Sequence, residues 1–216
     1  MHVRQAETSG KKGKVPVIQL PIQITTGRLN RERLNMYYPI IQGMRNISIQ
    51  QNMNNTIINT MNRLIRERSF YENESIQITG FYEVKTNHRG VVCLNLILYT
   101  HGERSQGMTI LQSLTFDTST GTLIGLPDLF KSEIDYVKPL SEIIRKQIEQ
   151  RSISTIKSFE QIEQEHAFYI ADKCLVLYAQ LNDLTPVQHG FPYFPISVYD
   201  IQSIVKEDGP LGRMVG

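Results

Sequence analysis

The feature that limits the fold of this chain most is a change in its apolar period. In "NISIQQNMNNTIINTMNRLIRER", Ile47, Gln50, Met53, Ile57, Met61, Leu64 and Ile65 recur every three or four positions. That spacing predicts one apolar helix face, with Asn and Gln opposite. Arg63, Arg66 and Arg68 sit near its C-terminal end, where the helix dipole favours cations. The period then shortens. "SIQITGFYEVKTN" and "GVVCLNLILYT" read as strands around the turn "NHRG", whose Asn87 and Gly90 suit positive φ. A polar loop, "HGERSQG", leads to a third strand, "MTILQSLTFDT".

The continuation "SLTFDTSTGTLIGLPDLF" carries its own turn chemistry. Asp117 is placed to accept hydrogen bonds from the turn that follows, and Gly121 to adopt a conformation that a Cβ resists. "TLIGL" is expected to return as a strand, Pro127 to pre-set φ, and Asp128 to cap the amides of a short turn ending at the apolar plug Phe130. "SEIDYVKPLSEIIRKQIEQRS" predicts a second helix with Ile134, Val137, Leu140, Ile143, Ile144 and Ile148 buried and Pro139 in its first turn. "AFYIADKCLVLYAQ" predicts a hairpin turning at "ADK", and "YFPIS" a last strand before a brief terminal helix. Upstream, "VPVIQLPIQITTG" and "LNMYYPIIQGM" read as extended segments, the first with the prolines of an edge strand.

The order predicts an α+β fold: a largely antiparallel sheet with two principal helices packed on it. The expected divisions are a flexible tail over 1–14, an N-terminal half over 15–104, a C-terminal half over 105–206 and a C-terminal tail over 207–216.

Charge excludes some partners. Lys and Arg total 23 against 21 Asp and Glu, too balanced for nucleic acid or an anionic membrane. No run of 18 apolar residues occurs, so a spanning helix is not expected. The N-terminus is polar and basic without the apolar core of a signal peptide. The chain as given therefore reads as cytoplasmic, and as extracellular only if an upstream anchor had been removed. Cys93 and Cys174 stand in strand-like runs without metal-ligand spacing and read as buried free thiols.

Catalytic patterns are weak. His2, His88, His101, His166 and His189 belong to no HxH, HExxH or CxxC arrangement, and no GxSxG or P-loop occurs. Glu163 and His166, three apart, would offer two metal ligands on a helix, but a solvated helix end explains them as well. Asp117 and Asp128 are explained by their turns. Neither a metal nor a cofactor is expected. Binding is more legible: "THGERSQGM" holds His101, Glu103, Arg104 and Gln106 in a polar connection, and "VQHGFPYF" holds His189, Phe191 and Tyr193. Arg104 presents a planar fork for a carboxylate and Glu103 the opposite charge, which favours a protein partner. A cell-wall glycan is the alternative. The Asn face of the first helix (Asn52, Asn54, Asn55, Asn59, Asn62) reads as solvated.

Five phrases in order, "YYPIIQGM", "FYEVKTNHRGVVCLNLILYT", "SLTFDTSTGTLIGLPDLF", "FYIADKCLVLYAQ" and "FPYFPIS", give the chain a resemblance from about Ile18 to Val205 to a bacterial module of two adjoining domains of formerly unknown function. Such modules occur in the extracellular part of a lysozyme-sensing anti-sigma factor and in the N-terminal region of certain peptidoglycan deacetylases. The resemblance implies a Gram-positive, spore-forming source and a non-enzymatic binding or structural role in protein–protein or cell-envelope recognition, including the spore envelope. The alternatives it leaves are a peptidoglycan hydrolase or deacetylase and a lysozyme-binding sensor or inhibitor. A Gly-Gly-Ala-His phrase common in that family is replaced here by "THGERSQGM", so neither lysozyme binding nor deacetylation carries over directly.

Overall fold

The computed structural model describes residues 21–102 and 105–215. The first helix, α1 (Ile47–Glu67), begins where Asn46 accepts hydrogen bonds from the amides of Ser48 and Ile49, at 3.0 and 3.2 Å. Its buried stripe is Met53, Ile57, Met61, Leu64 and Ile65, as the periodicity predicts. That stripe needs a second apolar layer, and a five-stranded sheet supplies it.

The sheet has the order β1 (Gln23–Arg31), β2 (Leu34–Gln42), β3 (Gln77–His88), β4 (Val91–Gly102) and β5 (Ser105–Asp117). All neighbours are antiparallel except β2 and β3, which run parallel because α1 forms the crossover between them. Leu34, Met36, Ile78, Leu94, Leu98 and Phe116 face α1 and form one hydrophobic cluster with it. At the β3–β4 turn the positive φ angles belong to Arg89 and Gly90, at 53° and 76°. Asn87, assigned that role from sequence, instead stays in the strand and clamps the backbone of Ile22 with its side-chain amide.

A second sheet holds β6 (Phe168–Ala171), β7 (Cys174–Tyr178) and β8 (Tyr193–Ser197), all antiparallel. One of its faces packs with α2 (Val137–Gln150) into a second cluster containing Leu140, Ile144, Leu177 and Phe194. The helix starts later than expected. Asp135 accepts from the amides of Val137 and Lys138, and Ile134 is left outside. Across the junction β6 lies against β3, β4 and β5. There the Thr86 hydroxyl donates to the Ile170 carbonyl at 2.7 Å in a buried bond.

From Leu111 to Asp117 the outer edge of β5 is closed at alternate residues. The Gln180 side chain accepts from the Leu111 amide and donates to the Leu111 carbonyl, at 3.2 and 2.6 Å. The Ser113 amide donates to the Tyr178 hydroxyl, and the Thr115 carbonyl accepts from the Ile124 amide. A strand edge paired this way offers no template to another chain. The "TLIGL" segment is therefore not a full returning strand: it makes a single bridge, Phe116 to Leu123, before leaving the sheet.

Two expected boundaries shift. A division between 104 and 105 would cut the β4–β5 hairpin, which pairs Gly102 with Ser105 inside one sheet, whereas the two hydrophobic clusters divide, Val91 apart, between Phe116 and Ile124. The segment expected as a C-terminal tail is not free over its described residues, 207–215, because Leu211 and Met214 are buried in the second cluster at 0% and 1% exposure. Arg213 forms an ion pair with Asp117 at 2.7 Å, and its carbonyl accepts from Arg89 at 2.6 Å, which ties this end of the chain to the first sheet. The expected 1–14 tail lies outside the described residues.

Candidate functional site

The turn that gives the chain its most specific phrase is structural. Asp117 accepts from both the amide and the hydroxyl of Ser119, and Gly121, at φ +71°, donates its amide to the Asp117 carbonyl at 2.7 Å. Burial pushes the Asp117 carboxyl upward, but the Ser119 hydrogen bonds and the Arg213 guanidinium outweigh it and hold the group below its ordinary value. Asp128 acts backwards from the expectation. It accepts from Gly125, ahead of the 3-10 turn Pro127–Leu129, at 2.8 Å, and so closes the approach to the turn rather than capping the amides after it. Phe130 is buried and stacks on Tyr136 with centroids 4.5 Å apart.

The expected binding residues separate into two groups. Glu103 and Arg104 lie outside the described residues, as does the side chain of Gln106. Strand pairing continues to Gly102 and Ser105, so "HGERSQG" is mostly the end of a ribbon rather than a broad loop. His101, one residue before the end of β4, lies on the sheet face opposite α1, stacked on Tyr99 at 5.4 Å, with Nδ1 buried and unpaired. Gly107 on β5 makes this possible, because a Cβ there would overlap the Tyr99 ring. His189 ends a 3-10 turn and borders a crevice of about 220 Å³ with Arg151 and Phe191. Tyr193 stands on β8, 37% exposed, its ring 6.1 Å from Tyr169, 6.3 Å from Tyr178 and 6.3 Å from Phe191.

Strand register joins these residues into a feature that no short motif shows. Tyr37, Phe81 and Tyr99 are each exposed by 40% or more, and their strand positions alternate with the buried Met36, Gly80 and Leu98 of the α1 face. They therefore occupy the opposite face of the sheet. Farther along that face, Glu83 and Lys85 form an ion pair at 2.6 Å, and the Lys85 ammonium sits 5.1 Å from the Tyr169 ring centroid. A strip of rings thus runs from His101 and Tyr99 through Phe81 to Tyr169 and Tyr193. Where the second sheet covers it, the rings acquire partners: the buried Tyr178 hydroxyl bonds Ser113, and burial raises its pKa to about 12. Burial also raises the hydroxyls of Tyr169 and Tyr193 above their ordinary value.

A cleft of about 350 Å³ opens beside the junction of the two sheets and continues into a smaller space of about 160 Å³. Glu163 and His166 line it, joined by a turn in which the His166 amide donates to the Glu163 carbonyl at 3.2 Å. The segment is not helical, so neither the solvated helix end expected from the sequence nor the helix-face ligand pair weighed against it forms there. Burial lowers the His166 pKa below its ordinary value, against the opposing pull of Glu163. Among the described residues no group of three or more His, Cys, Asp or Glu side chains is arranged to hold a metal ion.

The Asn face of α1 is only partly solvated. Asn54 pairs both ways with the backbone of Ile41, at 2.8 and 2.9 Å, where β2 has parted from β3. Asn52 donates to the Gly121 carbonyl at 3.0 Å. Cys93 is fully buried, and burial pushes its thiol up to about 11; Cys174 is half-buried, and both are free.

Residues 127–199 match the model of a protein family of unknown function, DUF3298. The match spans the second half of the fold and includes every residue lining the larger cleft. A DUF3298-family protein from Bacteroides fragilis superposes with a TM-score of 0.69 at 11% identity, over 89% of this chain and 97% of its own. A second, from Pseudomonas aeruginosa, gives 0.66 at 12% identity, over 88% and 96%. At these identities the likeness is one of fold, and it extends over both halves of the chain. No curated protein matches the sequence. The α+β fold read from sequence stands, and the resemblance to a module of formerly unknown function is matched by DUF3298.

Proposed function

We propose that the protein is a non-enzymatic binding module that recognises a protein partner through the aromatic strip on the outer face of its first sheet. The observation that carries this reading is the exposure of Phe81 and Tyr99, at 47% and 41%, on the sheet face opposite α1, with Tyr193, 37% exposed, beside Tyr169 where the second sheet meets the first. Scattered exposed apolar residues are ordinary on a soluble protein, but a run of rings on neighbouring strands is what interfaces use for anchoring. The Glu83–Lys85 pair in the middle of the strip adds charges of both signs, which suits a polypeptide better than a neutral glycan. A role at the cell envelope, the spore envelope included, is drawn from the sequence resemblance alone and belongs to the same proposal.

Capture from cell lysate tests it. Immobilised wild-type protein and a Phe81→Ala/Tyr193→Ala variant are compared for partner yield, with melting temperature measured on both. The proposal expects the variant to lose most of the captured partner while remaining folded. Undiminished capture would place the binding surface elsewhere.

A further inference from the structure

The junction cleft has a chemistry of its own and shares with the aromatic strip only the buried Tyr178. Its walls are apolar: Ile144, Phe159, Leu184 and Phe194 line it, the last three contributed by separate segments of the second half. Its other lining groups include the carboxylates Glu163, Glu165 and Asp183, set against a single cation, Lys157. None of these four side chains forms an ion pair within the described part of the protein. His166 lines both connected spaces. Because burial favours its uncharged form, it adds little positive charge near neutral pH.

Further groups point the same way. Glu165 Oε2 lies 3.3 Å from where a Gly125 Cβ would stand, and Asp128 Oδ2 lies 3.5 Å from the same point, so two carboxylates converge beside the smaller space. The nearby Tyr136 hydroxyl is held above its ordinary pKa, chiefly by burial and then by Glu165, Asp128 and Asp135. An apolar recess beneath an unpaired negative rim matches a ligand with an alkyl body and a cationic head. Its volume of about 350 Å³ lies within the range usual for small-ligand sites.

We propose that this cleft binds a primary alkylammonium group, supplied either by a free diamine or by a lysyl side chain of a polypeptide. The methylene chain lies against Phe159 and Phe194, and the ammonium meets the Glu163, Glu165 and Asp183 rim.

Calorimetric titration of the full chain tests this at low salt, with cadaverine as the free diamine, N-acetyl-lysine N-methylamide as the lysyl side chain, and pentanoate as an anion of similar alkyl length. Both amines are expected to give saturable binding that weakens as salt is raised, and pentanoate none. A Glu163→Gln/Glu165→Gln/Asp183→Asn variant, altered only at exposed positions, should bind both amines roughly tenfold more weakly. Lys157→Met should bind them more tightly. Tyr193→Ala should leave amine binding unchanged, so failure of the strip and failure of the cleft are distinguishable. Tighter binding of cadaverine identifies a free diamine as the source, and tighter binding of the lysyl compound identifies a polypeptide. Pentanoate binding as well as cadaverine, an unaltered affinity in the triple variant, or no saturable heat from either amine would each overturn the assignment.

Discussion

Replacing Gly121 by valine should destabilise the protein by about 2–4 kcal/mol. Two separable effects make up that figure. Gly121 sits at φ +71°, and a β-branched residue held there costs on the order of 1–3 kcal/mol. The new Cβ would also lie 2.9 Å from Ile49 Cγ2 and 3.1 Å from the Ile49 carbonyl oxygen. The methyl can rotate away, but the carbonyl belongs to the first turn of α1, so part of the overlap must be absorbed by moving the helix against the turn, at about 1 kcal/mol or more. Urea denaturation would read the total, and thermal denaturation should show a fall of about 5–15 °C for a chain of this size. Gly121→Asn separates the two effects. Asparagine tolerates the left-handed region but keeps the Cβ, so it should lose only about 1–2 kcal/mol. A valine variant within about 0.5 kcal/mol of wild type would refute the reasoning, because that is the range of an inconsequential surface change.

Tyr178→Phe should cost about 1–3 kcal/mol in urea denaturation, because it leaves the Ser113 amide without its partner at the closed edge of β5. Leu211→Ala should cost about 2–5 kcal/mol in the same assay, since Leu211 is 0% exposed; a free C-terminal tail would show no effect. Asp117 has a depressed folded-state pKa, so its contribution is fully present above its unfolded value, about 3.9, and is lost as pH falls through the folded value. The stability difference between wild type and Asp117→Asn should therefore be constant near neutrality and shrink on acidification below about pH 4. Titration with a thiol reagent at pH 8 should modify Cys174 in the native protein and Cys93 only on unfolding, as the buried Cys93 thiol is pushed to about 11.

Much of the fold is legible because local patterns and tertiary packing agree. The α1 stripe fulfils its period, and Asn46 caps it with its own side chain. The Asp117–Gly121 turn closes with bonds among neighbours that any reader of the sequence can pair. The misreadings have a common cause in partners distant along the chain. Gln180 closes the edge of β5 from 69 residues away, which is why "TLIGL" need not continue as a strand. Residues 207–216, with their glycines and proline, resemble a tail until Leu211 and Met214 are seen to find the second cluster.

The candidate site was half visible for the same reason. Tyr193 was readable from its company in "VQHGFPYF". Phe81, on β3, was not, because only the register shows that it, and not the neighbouring Tyr82, faces away from α1; Tyr99 was not, because β4 is apolar along most of both faces: one packs on α1, and the end of the other beneath the second sheet buries Val91, Cys93 and the polar Asn95. Alternation within β4 therefore could not tell which rings remain exposed. The cleft is not legible in the sequence because Glu163, His166, Asp183 and Phe194 come from segments that only the fold brings around one space.

The proposed partner surface is tested most directly by position-specific photocrosslinking. A benzoylphenylalanine in place of Phe81 stands in the middle of the aromatic strip, and one in place of the exposed Asn59 stands on the solvent side of α1. Illumination in living cells should trap a discrete protein adduct from position 81 and none from position 59. An adduct from position 59 with none from position 81 would contradict the account and move the binding surface to the helix.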